Sequence, residues 1–142
     1  MSDCTTNFTD GHTIGIGTGA LAADDGGNKT TAVGVDCLND VTSGSYNVGY
    51  GYQCGRLLTT GQQNSLYGTW SAYSLTTGQR NTCLGYYSGN NITTGYNNLI
   101  LGESTTASSA TVNNEITLGN QYNDTLRSVS YTHLTLPTNR EV

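Results

Sequence analysis

Residues 64–102 read NSLYGTWSAYSLTTGQRNTCLGYYSGNNITTGYNNLILG. Within them one short phrase recurs as Asn64-Ser65-Leu66-Tyr67-Gly68, Asn81-Thr82-Cys83-Leu84-Gly85 and Asn98-Leu99-Ile100-Leu101-Gly102, each 17 residues after the last. Followed in both directions, the spacing takes in Gly17, Gly34, Gly51, Gly68, Gly85, Gly102 and Gly119. A second series, Gly27, Gly44, Gly61, Gly78 and Gly95, lies seven positions ahead of five of these. A third is Asn47, Asn64, Asn81 and Asn98, with Thr13, Thr30 and Glu115 holding the same register in the other copies. Seven copies of 17 residues make the chain a repeat array over residues 10–120.

Each register has its own chemistry. Immediately before the main glycine stand Ile16, Val33, Tyr50, Tyr67, Leu84, Leu101 and Leu118, and two positions earlier Ile14, Thr31, Val48, Ser65, Thr82, Leu99 and Ile116. Three positions after it come the small residues Ala20, Cys37, Cys54, Ser71 and Ser88. The alternation has period two and no helical stripe survives over a helix-length window, so the copies read as strands bent at fixed glycines. A unit this short cannot bury a core alone, so neighbouring copies must stack. The expected fold is all-β, a parallel β-solenoid or β-roll of seven 17-residue coils, with equivalent residues about 4.8 Å apart and a height of roughly 29 Å. Stacking turns the asparagine register into a ladder of amide hydrogen bonds. The small register reads as filling a narrow interior. The apolar register before the main glycine then points outward, and a row of Val, Tyr and Leu along one flank calls for self-association around a common axis, read as a homotrimer.

Composition narrows the function. Charged residues are 11% of the chain, against roughly 25% in an ordinary soluble domain. Five basic residues and a net charge of −5 argue against a nucleic-acid partner, which needs a Lys/Arg stripe. No apolar run approaches the roughly 20 residues of a membrane helix, and no charged-then-apolar leader is visible, so neither membrane insertion nor a signal peptide is expected. High Gly and low aliphatic content would fit disorder, but the strict period argues for a fold.

No catalytic constellation emerges. His12 sits in a polar, variable register with Lys29, Tyr46, Gln63, Arg80 and Asn97, so it is expected to face water. Gly15-Ile16-Gly17-Thr18-Gly19 has the look of a phosphate loop, but its central glycine belongs to the repeat and no helix follows. Outside the first three copies and residues 129–142 the carboxylates are Glu103, Glu115 and Asp124, which share no register and offer no glycosidase pair. The chain therefore reads as non-enzymatic, with no cofactor and no metal. Asp24, Asp25 and Asp40 form either a calcium-binding rim or a solvated acidic edge. Cys4, Cys37, Cys54 and Cys83 fit no zinc spacing; Cys37 and Cys54 occupy one register on adjacent coils and are either disulfide-bonded or buried as small hydrophobes. The binding candidates are aromatic. Trp70 and Tyr87 share a register with Asp36, Gln53 and Ser104 that reads as exposed, and with Tyr73 they can stack on sugar rings of a host-surface glycan or pack on a neighbouring subunit.

The phrase Asn81-Thr82-Cys83-Leu84-Gly85-Tyr86-Tyr87-Ser88, followed by Thr93-Thr94-Gly95, resembles the repeats of bacteriophage tail fibres. Those repeats are similar to the head repeats of trimeric autotransporter adhesins, so the resemblance implies a trimeric left-handed parallel β-roll. It covers roughly residues 10–119, with Thr for Asn in the first copies and Ala before the aliphatic only at Ala32. Ile116-Thr117-Leu118-Gly119-Asn120 with Thr125-Leu126-Arg127 resembles the segment that precedes a self-cleaving chaperone domain in many tail fibres. The expected function is a non-enzymatic shaft segment of a phage tail fibre, located in the virion and involved in attachment to a host glycan or protein. The alternative is a bacterial surface adhesin head. An ice-binding solenoid is a further alternative, weakened because Thr59-Thr60 and Thr76-Thr77 are adjacent and alternate in direction. Residues 1–9 read as a lead-in and 121–128 as the start of a C-terminal region. Residues 129–142, VSYTHLTLPTNREV, lack the repeat texture and back-translate to a string resembling a sequencing adapter, so they read as non-native.

Overall fold

The computed structural model describes residues 6–7, 12–25 and 29–123. Seven three-residue strands, β2 (Ile14–Ile16), β3 (Thr31–Val33), β4 (Val48–Tyr50), β5 (Ser65–Tyr67), β6 (Thr82–Leu84), β7 (Leu99–Leu101) and β8 (Ile116–Leu118), lie side by side in sequence order. Each is the triplet ahead of a main glycine. All neighbours from β2 to β8 are parallel, and every pairing joins residues 17 apart, as in Val48↔Ser65 and Ser65↔Thr82. The fold is the expected all-β solenoid. Its lead-in holds an additional element: β1 (Thr6–Asn7) runs antiparallel to β2. No 17-residue match marks β1, and a two-residue strand carries too little pattern to be legible.

Coil-to-coil bonding continues around the turns. The Gly68 amide donates to Tyr50 O at 2.8 Å, Trp70 N to Tyr52 O at 2.9 Å, Ala72 N to Ser88 O at 2.8 Å and Thr76 N to Thr93 O at 2.8 Å. The main glycine permits this stacking. Gly51 has φ +137°, and a Cβ there would meet Gly68 O at 2.5 Å; only a residue without a side chain lets the next coil approach. The second series works differently. A Cβ on Gly61 would run inward into Gly78 O and Leu58 without any positive φ.

The interior is wider than a small-residue ladder would fill. Ala20, Cys37, Cys54, Ser71 and Ser88 are buried as expected, but so are Leu38, Leu58, Leu66, Leu75, Ile92 and Ile100. In β2–β6 the middle residue points inward and faces a residue four positions after the main glycine. Large and small alternate between these two columns: Ala32 with Leu38, Leu66 with Ala72, Cys83 with Gly89. In the third coil both positions, Gly49 and Gly55, are glycine, and the side chains of Leu38 and Leu66 from the adjacent coils occupy the space. Core volume is conserved across coils and not within one column. Each fully buried aliphatic contributes roughly 1.5–3 kcal/mol of transfer free energy.

The asparagine register forms the polar spine. Asn64 N and Nδ2 both donate to Asn47 Oδ1 at 3.0 Å, and Nδ2 also donates to Gly78 O at 2.9 Å. Asn81 and Asn98 repeat the arrangement, and the Glu115 amide closes it on Asn98 Oδ1 at 2.9 Å. Asn47, Asn64 and Asn81 are fully buried, so these bonds have no competing water.

Candidate functional site

Three surfaces follow from this scaffold. The first is the outer strand face. Because the middle residue of each triplet turns inward, its two neighbours turn out, leaving Ile14, Ile16, Tyr50, Tyr67, Leu84, Ile116 and Leu118 exposed, with Val33, Val48, Leu99 and Leu101 half-buried. Tyr50 and Tyr67 stack with ring centroids 5.4 Å apart and planes within 4°. Leu84 is 51% exposed and Ile116 70%. The apolar row expected from the repeat is present, continuous from the first coil to the last.

The second surface is the corner just after the strands. Here the backbone enters the left-handed region at non-glycine residues: Asp36 (φ 52°), Gln53 (51°), Trp70 (55°), Tyr87 (57°) and Ser104 (51°). That geometry throws the side chains off the coil. Trp70 is held in a polar column, its Nε1 donating to Gln53 Oε1 at 2.8 Å and Gln53 Nε2 to Asp36 Oδ2 at 3.4 Å. Asp36, Gln53 and Trp70 are half-buried by this stacking, whereas Tyr87 and Ser104 are exposed. Three tyrosine rings set their edges against or tilt onto the indole: Tyr87 at 5.5 Å, Tyr52 at 5.7 Å and Tyr86 at 5.7 Å between centroids. Trp70 and Tyr87 therefore meet as expected. Tyr73 does not join them by a ring contact; its hydroxyl accepts a hydrogen bond from Arg56 Nη1 at 3.1 Å. Tyr52 and Tyr86 complete the cluster and were legible only from the register one position before Trp70, which holds Val35, Tyr52, Thr69, Tyr86 and Glu103. An offset cluster of half-exposed, amphipathic rings is suited to the apolar face of a sugar or to a partner protein's surface.

The third surface is the turn around the second glycine series. Thr42, Thr59, Thr76 and Thr93 each donate from Oγ1 to the carbonyl of the next coil, at 3.4, 3.2, 3.1 and 3.2 Å. These hydroxyls are committed to the stack. The hydroxyl column left facing solvent, Thr60, Thr77, Thr94 and Thr111, is one residue wide.

The remaining candidates resolve simply. His12 is exposed. Gly17 of the phosphate-loop look-alike sits against Gly34 of the next coil, and no helix follows. Asp24, Asp25 and Asp40 do not converge; among the described residues no group of three or more His, Cys, Asp or Glu side chains is placed to hold a metal ion. Cys37, Cys54 and Cys83 are buried free thiols, so the disulfide reading gives way to the small-hydrophobe one. The hydrogen bond with Cys37, and then burial, raise the Cys54 thiol far above its ordinary range. Burial pushes Cys83 up to about 12. Such thiols are poor nucleophiles. Gly27, Cys4, Thr125-Leu126-Arg127 and residues 129–142 lie outside the described residues. Among the described residues no helix is long and apolar enough to cross a membrane. Compared with protein-family models, with curated proteins and with solved structures, the chain matches none.

Proposed function

We propose that this chain is a non-enzymatic shaft segment of a trimeric phage tail fibre that carries adhesive side chains towards the host surface. The observation that supports it is the unbroken apolar column on the outer face of β2–β8, Ile16, Val33, Tyr50, Tyr67, Leu84, Leu101 and Leu118, with Tyr50 and Tyr67 stacked at its centre. A sheet face of this kind along a rod of stacked coils needs a cover as long as itself, and three copies in parallel register supply one. The strand face then meets the axis, and the Trp70 cluster sits at its margin, where the chain turns away from the sheet. Adhesion is assigned to that cluster, with a host glycan or protein as partner. The bacterial adhesin head shares the same supporting observation and differs in what accompanies the repeats in the gene.

The test is sedimentation velocity on the double variant Tyr67→Lys, Leu84→Lys. Both side chains are exposed on the strand face, so the coil stays intact while charges are placed where copies meet. The expected result is a trimeric wild type and a monomeric variant with unchanged β-sheet circular dichroism. A monomeric wild type would overturn the reading. In the same assay Trp70→Ala should remain trimeric while losing attachment to host cells; dissociation would assign the cluster to subunit packing instead.

A further inference from the structure

A polar groove runs along the turn between the exposed threonine column and the column two positions later, Gln62, Gln79, Tyr96 and Asn113. Gly78 and Gly95 are buried beneath it, and a Cβ at either would point inward, towards Asn81, Asn98 and the core. Along it Thr77, Gln79, Arg80, Thr94 and Tyr96 line an open recess of about 270 Å³. A second recess, of about 360 Å³, lies on the other side of Arg80, lined by Asn97 and Asn114 and by Thr82, Leu99 and Ile116 of the strand face. Arg80 stands between the two. It donates from Nε to Gln63 Oε1 at 3.2 Å. Its Nη groups have no protein partner among the described residues, and no described carboxylate forms an ion pair with it.

We propose that this groove is a binding site for an anionic saccharide unit, with Arg80 taking the carboxylate or phosphate. The lining selects the class. Hydroxyls of Thr77 and Thr94 and the amide of Gln79 match a ligand rich in hydroxyls, and the half-exposed Tyr96 ring offers a face for the C–H side of a pyranose. The lining has no aliphatic side chain, so it provides no pocket for a hydrophobic residue of a peptide. A planar guanidinium with both Nη groups available favours a bidentate oxyanion over a neutral hydroxyl. The site is separate from the Trp70 cluster and lies in the recess of Thr77, Gln79, Arg80, Thr94 and Tyr96, not in the one that runs onto the strand face.

The experiment is calorimetric titration of the full chain with a galacturonic acid oligomer, the corresponding neutral galactose oligomer and inorganic phosphate. It is repeated on Arg80→Gln. Glutamine already occupies this column at Gln63 with φ 58°, close to the 55° of Arg80, so the variant folds without new strain. The acidic oligomer should bind the wild type about tenfold or more tightly than the neutral one, the factor expected of a charge-assisted hydrogen-bond pair. In Arg80→Gln the two should bind equally, with the melting temperature and sedimentation unchanged. Equal binding of acidic and neutral oligomers to the wild type overturns the proposal, as does an unaffected Arg80→Gln or no binding at all. Phosphate alone binding as tightly as the oligomer, or an acidic peptide displacing it at equal concentration, overturns the saccharide assignment.

Discussion

Replacing Asn64 with Ala removes one rung from the middle of the spine, and its effect can be worked from the bonds. The side chain makes four: Nδ2 to Asn47 Oδ1 and to Gly78 O, and Oδ1 from Asn81 N and Asn81 Nδ2. Two of the partners survive. Asn47 Oδ1 retains the Asn64 backbone amide, and Asn81 Nδ2 retains Gly95 O at 2.8 Å. Gly78 O and Asn81 N are left without a partner in a fully buried position. Each orphaned buried group costs about 1–3 kcal/mol, so Asn64→Ala should destabilise by roughly 2–6 kcal/mol. Against a typical total of about 5–15 kcal/mol, that is a large share and corresponds to a melting-temperature drop on the order of 10–20 °C. The control is Asn97→Ala, where an exposed Nδ2 donates to Asn114 Oδ1 at 2.8 Å from a left-handed residue of φ 57°. Loss of a surface bond together with Ala in that backbone region should cost about 1–2 kcal/mol. Thermal unfolding followed by circular dichroism separates the two. Equal losses for Asn64→Ala and Asn97→Ala would refute the buried-ladder reasoning.

Two further outcomes follow from the glycines and from the last coil. Gly51→Ala places a methyl against Gly68 O at a φ of +137°, where backbone must move, so we expect about 3 kcal/mol or more. Gly55→Ala meets only the ends of the Leu38 and Leu66 side chains at φ +57°, in a column where Ala72 already sits at 48°, so its cost should be smaller, about 1–2 kcal/mol in the same melts. Glu115 Oε1 accepts from Ser108 N at 2.9 Å and Thr117 Oγ1 at 2.7 Å, and the bonds from Ser108 first and Thr117 second hold its carboxyl below the ordinary 4.5. A depressed folded pKa gives stability that is present above the unfolded value and lost as pH falls through the folded one. Stability of the wild type should therefore fall as pH drops below about 4.5, and Glu115→Gln should flatten that part of the profile in acid titrations monitored by fluorescence.

The fold was legible because stacking forces every coil to meet the same constraint at the same place. The main glycine cannot be anything larger, so its column is invariant over the seven copies, and the asparagine must both accept from one coil and donate to another, so it holds the four central copies from Asn47 to Asn98. Columns that fill the interior obey a weaker rule. Gly49, Leu66, Cys83 and Ile100 share one inward position, and no single-column reading predicts a core from such a set. What holds constant is a sum over neighbours in three dimensions, with Leu38 and Leu66 filling the space above and below Gly55. A 17-residue alignment shows the columns but not which of them face each other across the coil, and for that reason the interior looked narrower in the sequence than it is.

The candidate site was legible only in part, for a related reason. Trp70 and Tyr87 stand in one register and were paired by the repeat itself, whereas Tyr52 and Tyr86 reach the indole from the adjacent register, across the corner. Seeing that contact requires knowing that the backbone turns left-handed at Trp70. The same corner explains how a rigid rod can vary its surface. Asp36, Gln53, Trp70, Tyr87 and Ser104 differ in charge, size and polarity, yet their φ values lie between 51° and 57°. The strain of a left-handed residue, about 1–2 kcal/mol, is set by the backbone and is nearly the same for all of them. Side chains that leave the coil at this corner carry no part of the interior volume and none of the asparagine hydrogen bonds. Substitution there changes what the solenoid presents without changing what holds it together. Surface chemistry can therefore differ from coil to coil along one scaffold, with an indole cluster spanning the third to fifth coils and the exposed Arg80 one corner away.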